Sequence, residues 1–213
     1  MRKLTVLYPF MEDGFSEDVA PFIETISGLK ESKAIDVVIT ADKAGRSSDA
    51  LKKAGLPYEE VAFPKPVGPN DCYPVALFKL IRSSFFSFSC FRTHKIDVMH
   101  CPDVLSLLCW GNAAKMNRIP FITSIRETGK FSRYARLMMA DSRKLVCLNE
   151  DVRNKLPPHF SAISLLDPLS QNISENQTAG TAQKYAADFW IQLYASLFIK
   201  PDLSKITGIL NKN

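Results

Sequence analysis

Residues 95–127 read KIDVMHCPDVLSLLCWGNAAKMNRIPFITSIRE, and residues 140–156 read ADSRKLVCLNEDVRNKL. Short, mostly apolar runs stand at 96–99, 121–125 and 144–148. Each run is too short to be a helix, and a longer periodic segment separates it from the next, so the pattern predicts strands and helices in alternation. Strands joined by helices run parallel and are buried on both faces. We therefore expect two successive parallel crossovers at the centre of the fold.

The same alternation extends towards the N-terminus. It predicts strands at 4–10, 35–40 and 58–63, and helices at 17–30 and 47–55. Further helices are expected at 74–92 and 131–140, and the last strand–helix unit ends at Leu156. The predicted fold class is α/β: a single Rossmann-like, doubly wound, mostly parallel sheet flanked by helices, with a C-terminal helix packed back on it.

The C-terminal part of the chain has its own periodicity. Tyr185, Phe189, Leu193 and Leu197 recur at steps of four, which predicts a helix whose wide apolar face needs a surface to cover. We therefore divide the chain into a domain at 1–157, a linker at 158–180, a helix at 181–200 that returns to the domain, and a tail at 201–213. The sheet is predicted to end with the domain, although residues 160–170 leave room for one short strand.

Composition limits the classes of function. The chain has 213 residues, a formal net charge of +5 and a pI near 8.9, and its basic residues are not gathered into a tail. Nucleic-acid binding is therefore not expected. Five cysteines without a CxxC pair predict reduced thiols, with neither a metal nor a cofactor. Pro9 interrupts the first apolar run, which we interpret as a strand and not a signal peptide, and no run approaches the ~20 residues of a membrane span. We expect a cytoplasmic protein. The sequence does not predict its oligomeric state.

The predicted helix at 74–92 mixes cations with aromatic residues: Lys79, Arg82 and Arg92 lie among Phe78, Phe85, Phe86, Phe88 and Phe91. A basic amphipathic helix can lie on an anionic membrane, with its aromatic rings in the interface and its cations at the headgroups. A crossover helix must also bury an apolar stripe against its sheet, and we favour that role. Peripheral contact with the inner face of a membrane stays open, and Arg133 and Arg136 would extend its basic face.

Polar residues follow each central strand, at the end where a parallel sheet places its chemistry. His100 ends one strand, Arg126 and Glu127 follow the next, and Asn149 follows the third. Because these carboxyl ends meet at one edge, we expect the loops to converge on a crevice. Gly14 precedes a helix whose first amides can receive an anion. A simple connecting role stays open for each loop taken alone.

Four motifs in order resemble a known family. Residues 14–17 (GFSE) are similar to a GGxE loop after the first strand, and residues 97–100 (DVMH) are similar to a DVVH strand end. Residues 120–126 are similar to a proline-led strand that ends in histidine, and residues 140–156 to a segment of the form AD.vi..S..v...L. Together they resemble the acceptor-side, N-terminal domain of GT-B glycosyltransferases, in particular family 4 of retaining enzymes. The resemblance covers residues 1–157.

The resemblance implies a substrate-binding set of Gly14, His100, Arg126 and Glu127, with no catalytic residue assigned. Phe15 departs from the family, since a second glycine there lets the backbone approach a donor phosphate. Arg126 stands where the family has a histidine; an arginine cannot act as a general base but can clamp a carboxylate or phosphate.

The resemblance also implies a missing half. Fewer than ~60 residues follow Leu156, too few for the family's nucleotide-sugar-binding domain, and Glu175 has no glutamate partner eight positions on. The helix at 181–200 is similar to the family's last helix, which crosses back onto the N-terminal domain.

Two functions follow as hypotheses. In the first, the chain is the acceptor-side half of a split glycosyltransferase and transfers sugar only with a separate donor-binding chain, the nucleotide sugar being its co-substrate; some members of the family are divided in this way. In the second, the chain is a non-catalytic binding or scaffold descendant. An unrelated flavodoxin-like or nucleotide-binding module is disfavoured, since no GxGxxG follows the first strand and no P-loop motif occurs.

Overall fold

The computed structural model describes residues 3–11, 20–43, 46–63, 71–126, 131–167 and 179–198. Its strands are β1 (Leu4–Phe10), β2 (Ile35–Asp42), β3 (Glu59–Val61), β4 (Val98–Cys101), β5 (Phe121–Ile125), β6 (Lys144–Cys147) and β7 (Ser164–Leu166). Its helices are α1 (Ala20–Ser32), α2 (Arg46–Lys53), α3 (Tyr73–His94), α4 (Val104–Met116), α5 (Arg133–Asp141), α6 (Glu150–Lys155) and α7 (Ala179–Ser196), with a 3-10 turn at Pro158–Ile163.

The strands form one parallel sheet in the order β3-β2-β1-β4-β5-β6-β7. The chain winds outwards from β1 to β3, returns through α3 to β4 beside β1, and winds outwards again to β7. This order is that of a doubly wound sheet whose direction reverses between β1 and β4. The predicted Rossmann-like fold class, including a C-terminal helix packed on the sheet, is confirmed.

Two helix layers cover the sheet because strand side chains alternate between its faces. Leu7 and Met99 belong to the core under α3, α4 and α5, which also holds Trp110. Tyr8 belongs to the core on the other face, under α1 and α7, which also holds Trp190. Helix α4 packs against both α3 and α5, and α7 packs against α1.

Two helix starts follow from side chains at the carboxyl ends of strands. Asp103 caps α4, because its Oδ1 accepts a hydrogen bond from the amide of Ser106 at 2.6 Å. Asn149 caps α6 in the same way, accepting from the amide of Val152 at 2.9 Å. Both helices therefore begin at the edge where a doubly wound sheet binds ligands.

The sheet continues beyond the predicted domain boundary. Residues 158–167 were expected to belong to a linker, whereas they form the 3-10 turn and β7, which pairs in parallel with β6. The amide of Asp167 extends this ladder by donating to the carbonyl of Cys147 at 2.8 Å. A strand of three residues is too short to show a clear alternation of apolar and polar side chains. The sequence therefore allowed a strand here but did not predict that it joins the sheet. The rest of the linker up to residue 178 and the tail at 201–213 lie outside the described residues.

The remaining boundaries differ by a few residues. Strand β3 is shorter than predicted, and α7 begins at Ala179 and ends at Ser196. Across the described part of the chain, none of the helices has both the length and the apolar character needed to cross a membrane.

Candidate functional site

The carboxyl ends of the parallel strands lie along one edge of the sheet. The described residues there include Cys101 at the end of β4, Arg126 after β5 and Asp167 after β7. Of the four predicted substrate-binding residues, the structure places His100 and Arg126 near this edge. Gly14 and Glu127 lie outside the described residues, so their part in a site stays a prediction.

His100 lies beneath α7 and has no exposed surface. It stands one step beyond the Leu7–Met99 pair in β4, which points its side chain towards the α7 layer. Both ring nitrogens are occupied: Nδ1 is 2.7 Å from the Tyr194 hydroxyl, and Nε2 is 2.9 Å from the Ser124 hydroxyl.

Aromatic rings enclose His100 on its remaining sides. Its ring centroid lies 4.5 Å from that of Trp190, 4.9 Å from that of Tyr8 and 5.7 Å from that of Phe22. These residues come from α7, β1 and α1, so three elements meet at the imidazole. The arrangement excludes water and leaves the ring no open direction.

Burial changes the protonation of His100. Loss of hydration and, to a smaller extent, the nearby Arg126 charge together lower the pKa of the imidazole from 6.5 to about 3. A histidine with this pKa is neutral at physiological pH, so one ring nitrogen donates and the other accepts. Neutral His100 therefore holds two hydrogen-bond partners in place and does not take up a proton.

Tyr194 extends the hydrogen-bonded chain to the first strand. Its hydroxyl also contacts the hydroxyl of Tyr8, so β1, α7, β4 and β5 are joined through Tyr8, Tyr194, His100 and Ser124. Burial raises the pKa values of both tyrosines above their ordinary value, so both hydroxyls keep their protons. This chain ties the C-terminal helix to the middle of the sheet.

Arg126 is nearly buried at the same edge. The exposed fraction of its side chain is 10%, and its Nη2 lies 3.6 Å from Oδ2 of Asp167, whose side chain is 7% exposed. The guanidinium carbon also lies 4.3 Å from the centre of the Phe22 ring. Arg126 therefore links β5 to the end of β7 and to α1, and only a small part of it faces outwards.

Sequence reasoning missed the partners of these two residues. Tyr8 and Ser124 lie inside apolar strands, and Tyr194 lies on the predicted apolar face of the C-terminal helix. Arg126 was selected because it follows a strand of the parallel sheet. Asp167 follows β7 in the same way, and counting β7 as part of the sheet would have selected it too. No pattern in the sequence pairs His100 with Tyr194.

Other chemistry at this edge is limited among the residues that the structure describes. Within those residues, no group of three or more His, Cys, Asp or Glu side chains is arranged to hold a metal ion. Cys101, Cys109 and Cys147 are buried near the same edge, and burial raises their thiol pKa values. These thiols are packing residues at neutral pH.

Comparison with solved structures places the fold. No protein-family model and no curated protein sequence matches the chain. The chain is similar to MurG of Acinetobacter baumannii, with a TM-score of 0.57 and 15% identity over 76% of this chain and 44% of that one. It is also similar to a glycosyltransferase of Rickettsia africae, with a TM-score of 0.55 and 14% identity over 90% of this chain and 50% of that one.

Enzymes of a second type share the same fold. The chain is similar to the UDP-GlcNAc 2-epimerase of Neisseria meningitidis bound to UDP-GlcNAc, with a TM-score of 0.56 and 15% identity over 85% of this chain and 52% of that one. The chain thus spans about half the length of the solved structures that it matches. It has the Rossmann-like fold of about half of these enzymes, and the resemblance of its sequence motifs to a GT-B glycosyltransferase domain predicted that fold.

Proposed function

We propose that the chain is the acceptor-side lobe of a GT-B-type glycosyltransferase and that a separate chain supplies the donor-binding lobe. The observation that carries the proposal is the fold, which matches GT-B-type enzymes over about half of their length. The order of the motifs at 14–17, 97–100, 120–126 and 140–156 supports the acceptor-side assignment. The open edge of the sheet, between β1 and β4, is where a doubly wound fold binds its ligand.

The described residues also explain why the lobe would depend on a partner. His100 is sealed under α7, and Arg126 is largely engaged with Asp167 and Phe22. Sugar transfer needs charge stabilisation around the departing diphosphate, which requires donors on both sides of a closed cleft. We therefore expect no turnover by this chain alone.

The proposal is tested with the purified chain and a candidate donor lobe, the product of a neighbouring reading frame that encodes such a lobe by itself. Each chain alone and their mixture are incubated with radiolabelled UDP-GlcNAc or UDP-glucose, the nucleotide sugars seen in the solved neighbours. UDP release, with the sugar passed to an added acceptor or to water, is expected only in the mixture. UDP release by this chain alone would overturn the proposal.

Arg126 provides the test of the site. We propose that the exposed part of its guanidinium clamps an acidic group of the acceptor, so Arg126→Ala removes activity of the mixture. Because Arg126→Ala also disturbs Asp167, the matched variant is Arg126→Lys, which keeps the charge but loses the two-pronged geometry. If Arg126→Lys folds normally and keeps full activity, the acceptor contact is refuted.

The alternative is a non-catalytic binding or scaffold protein. The specific observation in its favour is the enclosure of His100, since Nδ1 is bonded to Tyr194 of α7 and Nε2 to Ser124 of β5, so neither nitrogen is left for a substrate. This function predicts that the chain binds the donor lobe, or another partner, without UDP release under any condition. Conversion of UDP-GlcNAc to its C2 epimer, without net release of UDP, would instead point to the epimerase type of chemistry.

A further inference from the structure

Helix α3 exposes a set of large apolar side chains on the side away from the sheet. Phe85 is 75% exposed and Phe78 is 65% exposed, and Leu77, Ile81 and Phe88 are also exposed. They recur at helical spacing and so form one continuous stripe. Removing these apolar side chains from water is favourable, so an exposed stripe of this size indicates a surface that binds a partner.

The core role of α3 is filled by a different set of residues. Phe86 and Phe91 pack against Trp110 of α4, with ring centroids 6.4 and 5.9 Å apart. These two rings hold α3 against α4, and Phe91 also belongs to the core that contains the strand residues Leu7 and Met99. Phe78, Phe85 and Phe88 are additional to that packing.

A groove runs along the same side between α3 and α4. It has a volume of about 450 Å³ and is lined mainly by apolar side chains, among them Leu77, Phe85, Phe88 and Met116. A second, shallower cavity of about 620 Å³ lies along α5, lined by Arg133, Arg136, Leu137 and His159 among others. Since α4 packs against both α3 and α5, we refer to the outward residues of these three helices together as the outer face.

The charge of the outer face is positive. Helices α3, α4 and α5 carry a single carboxylate, Asp141, and it pairs with Lys115 at 2.6 Å. Arg82, Arg92, Arg133 and Arg136 are exposed, and none of them forms an ion pair with a carboxylate among the described residues. The guanidinium carbon of Arg92 lies 4.9 Å from the centre of the exposed Phe88 ring, so a cation and an aromatic ring occupy adjoining surface.

We propose that the outer face docks onto the surface of an anionic lipid bilayer, with the phenylalanines of α3 entering the headgroup boundary and the arginines contacting lipid phosphates. The proposal does not depend on the glycosyltransferase assignment. Exposed aromatic side chains bordered by arginines match the layering of a bilayer surface, whose apolar region lies directly below a sheet of negative charge. A second copy of the chain would instead bring four more unpaired arginines against this face.

The test is co-sedimentation of the full chain with vesicles of phosphatidylcholine alone or mixed with phosphatidylglycerol. Binding is expected only with the anionic vesicles and is expected to fall as salt rises. The apolar variant Phe78→Ser with Phe85→Ser should weaken binding at least about tenfold. The charge variant Arg82→Gln with Arg136→Gln should weaken it roughly 20-fold.

Matched controls lie on the opposite layer. Phe198→Ser removes a phenylalanine that is 51% exposed beyond α7, and Lys43→Gln with Lys53→Gln removes two exposed cations near α2. Both controls should keep most of the vesicle binding, because they lie away from the docking face. Loss of the two lysines lowers only the overall positive charge of the protein. Circular dichroism and urea midpoints establish that all variants fold.

Three results would overturn the proposal. One is the absence of sedimentation with anionic vesicles, and another is equal sedimentation with both kinds of vesicle. The third is self-association in analytical ultracentrifugation without lipid that is lost in the Phe78→Ser, Phe85→Ser variant, because the outer face would then be an interface between copies.

Discussion

Acidification is expected to destabilise the protein through His100. Burial holds the pKa of this imidazole at about 3 in the folded protein, against 6.5 for an exposed histidine. Between these two values the unfolded chain binds a proton that the folded chain does not, so stability falls as the pH falls. The His100 contribution is complete above pH 6.5 and is lost progressively towards pH 3. One pKa unit corresponds to ~1.36 kcal/mol, which gives a loss of about 2 kcal/mol between pH 7 and pH 5.

The assay is urea unfolding at pH 7 and pH 5, followed by tryptophan fluorescence and far-ultraviolet circular dichroism. The comparison is between the wild type and His100→Gln, which removes the titrating group and keeps a hydrogen-bonding side chain. Carboxylates contribute equally to both, so the free energy of unfolding should fall by about 2 kcal/mol more in the wild type.

The reasoning would be refuted by one pattern of results. If wild type and His100→Gln lose the same free energy of unfolding between pH 7 and pH 5, the folded imidazole accepts a proton at an ordinary pH. The enclosure of His100 under α7 would then be wrong.

Three further predictions concern the same structure. Tyr194→Phe loses two buried hydrogen bonds and should cost about 1–3 kcal/mol of unfolding free energy, whereas Tyr185→Phe on the exposed side of α7 should cost less than about 0.5 kcal/mol; equal costs would contradict the contact. Asp167→Asn should cost about 3 kcal/mol by separating a nearly buried ion pair, and a double-mutant cycle with Arg126→Gln should show coupling of at least ~1 kcal/mol, so additive costs would contradict the pairing. Gly55 has a φ of 66° with open space around it, so Gly55→Ala should cost about 1 kcal/mol in urea unfolding through backbone strain alone, and unchanged stability would contradict that conformation.

The central strands were predictable because burial on both faces leaves a strong signal. Strands β4, β5 and β6 are short apolar runs separated by long periodic helices, and two-sided burial in a parallel sheet demands that composition. Strand β7 was harder to place, since three residues between two prolines carry little periodicity. Its place in the sheet depends on pairing with β6, a tertiary contact that local sequence does not encode.

The candidate site was predictable in position and not in orientation. Parallel topology places His100 and Arg126 near the carboxyl edge, whatever their side chains contact. Whether His100 faces the crevice or α7 depends on how that helix docks. The steps of four in α7 do not give its buried face, since Tyr185 is 55% exposed whereas Trp190 and Tyr194 are buried. The sequence likewise gives no sign that the Tyr194 hydroxyl bonds to the imidazole of His100.

The two proposals make different demands on the molecule. Membrane docking uses the outer face of α3, α4 and α5, whereas sugar transfer uses the carboxyl edge of the sheet. Variants of Phe78 and Phe85 therefore separate lipid binding from transfer, and loss of transfer in solution by those variants would contradict this separation.

The measurement that tests the central claim most directly is the initial rate of UDP release at a fixed concentration of this chain, titrated with the donor-lobe chain. The account predicts a rate that is zero without the donor lobe and saturates as one complex forms. A rate that is independent of the donor lobe, or no rate at any ratio of the two chains, would contradict it.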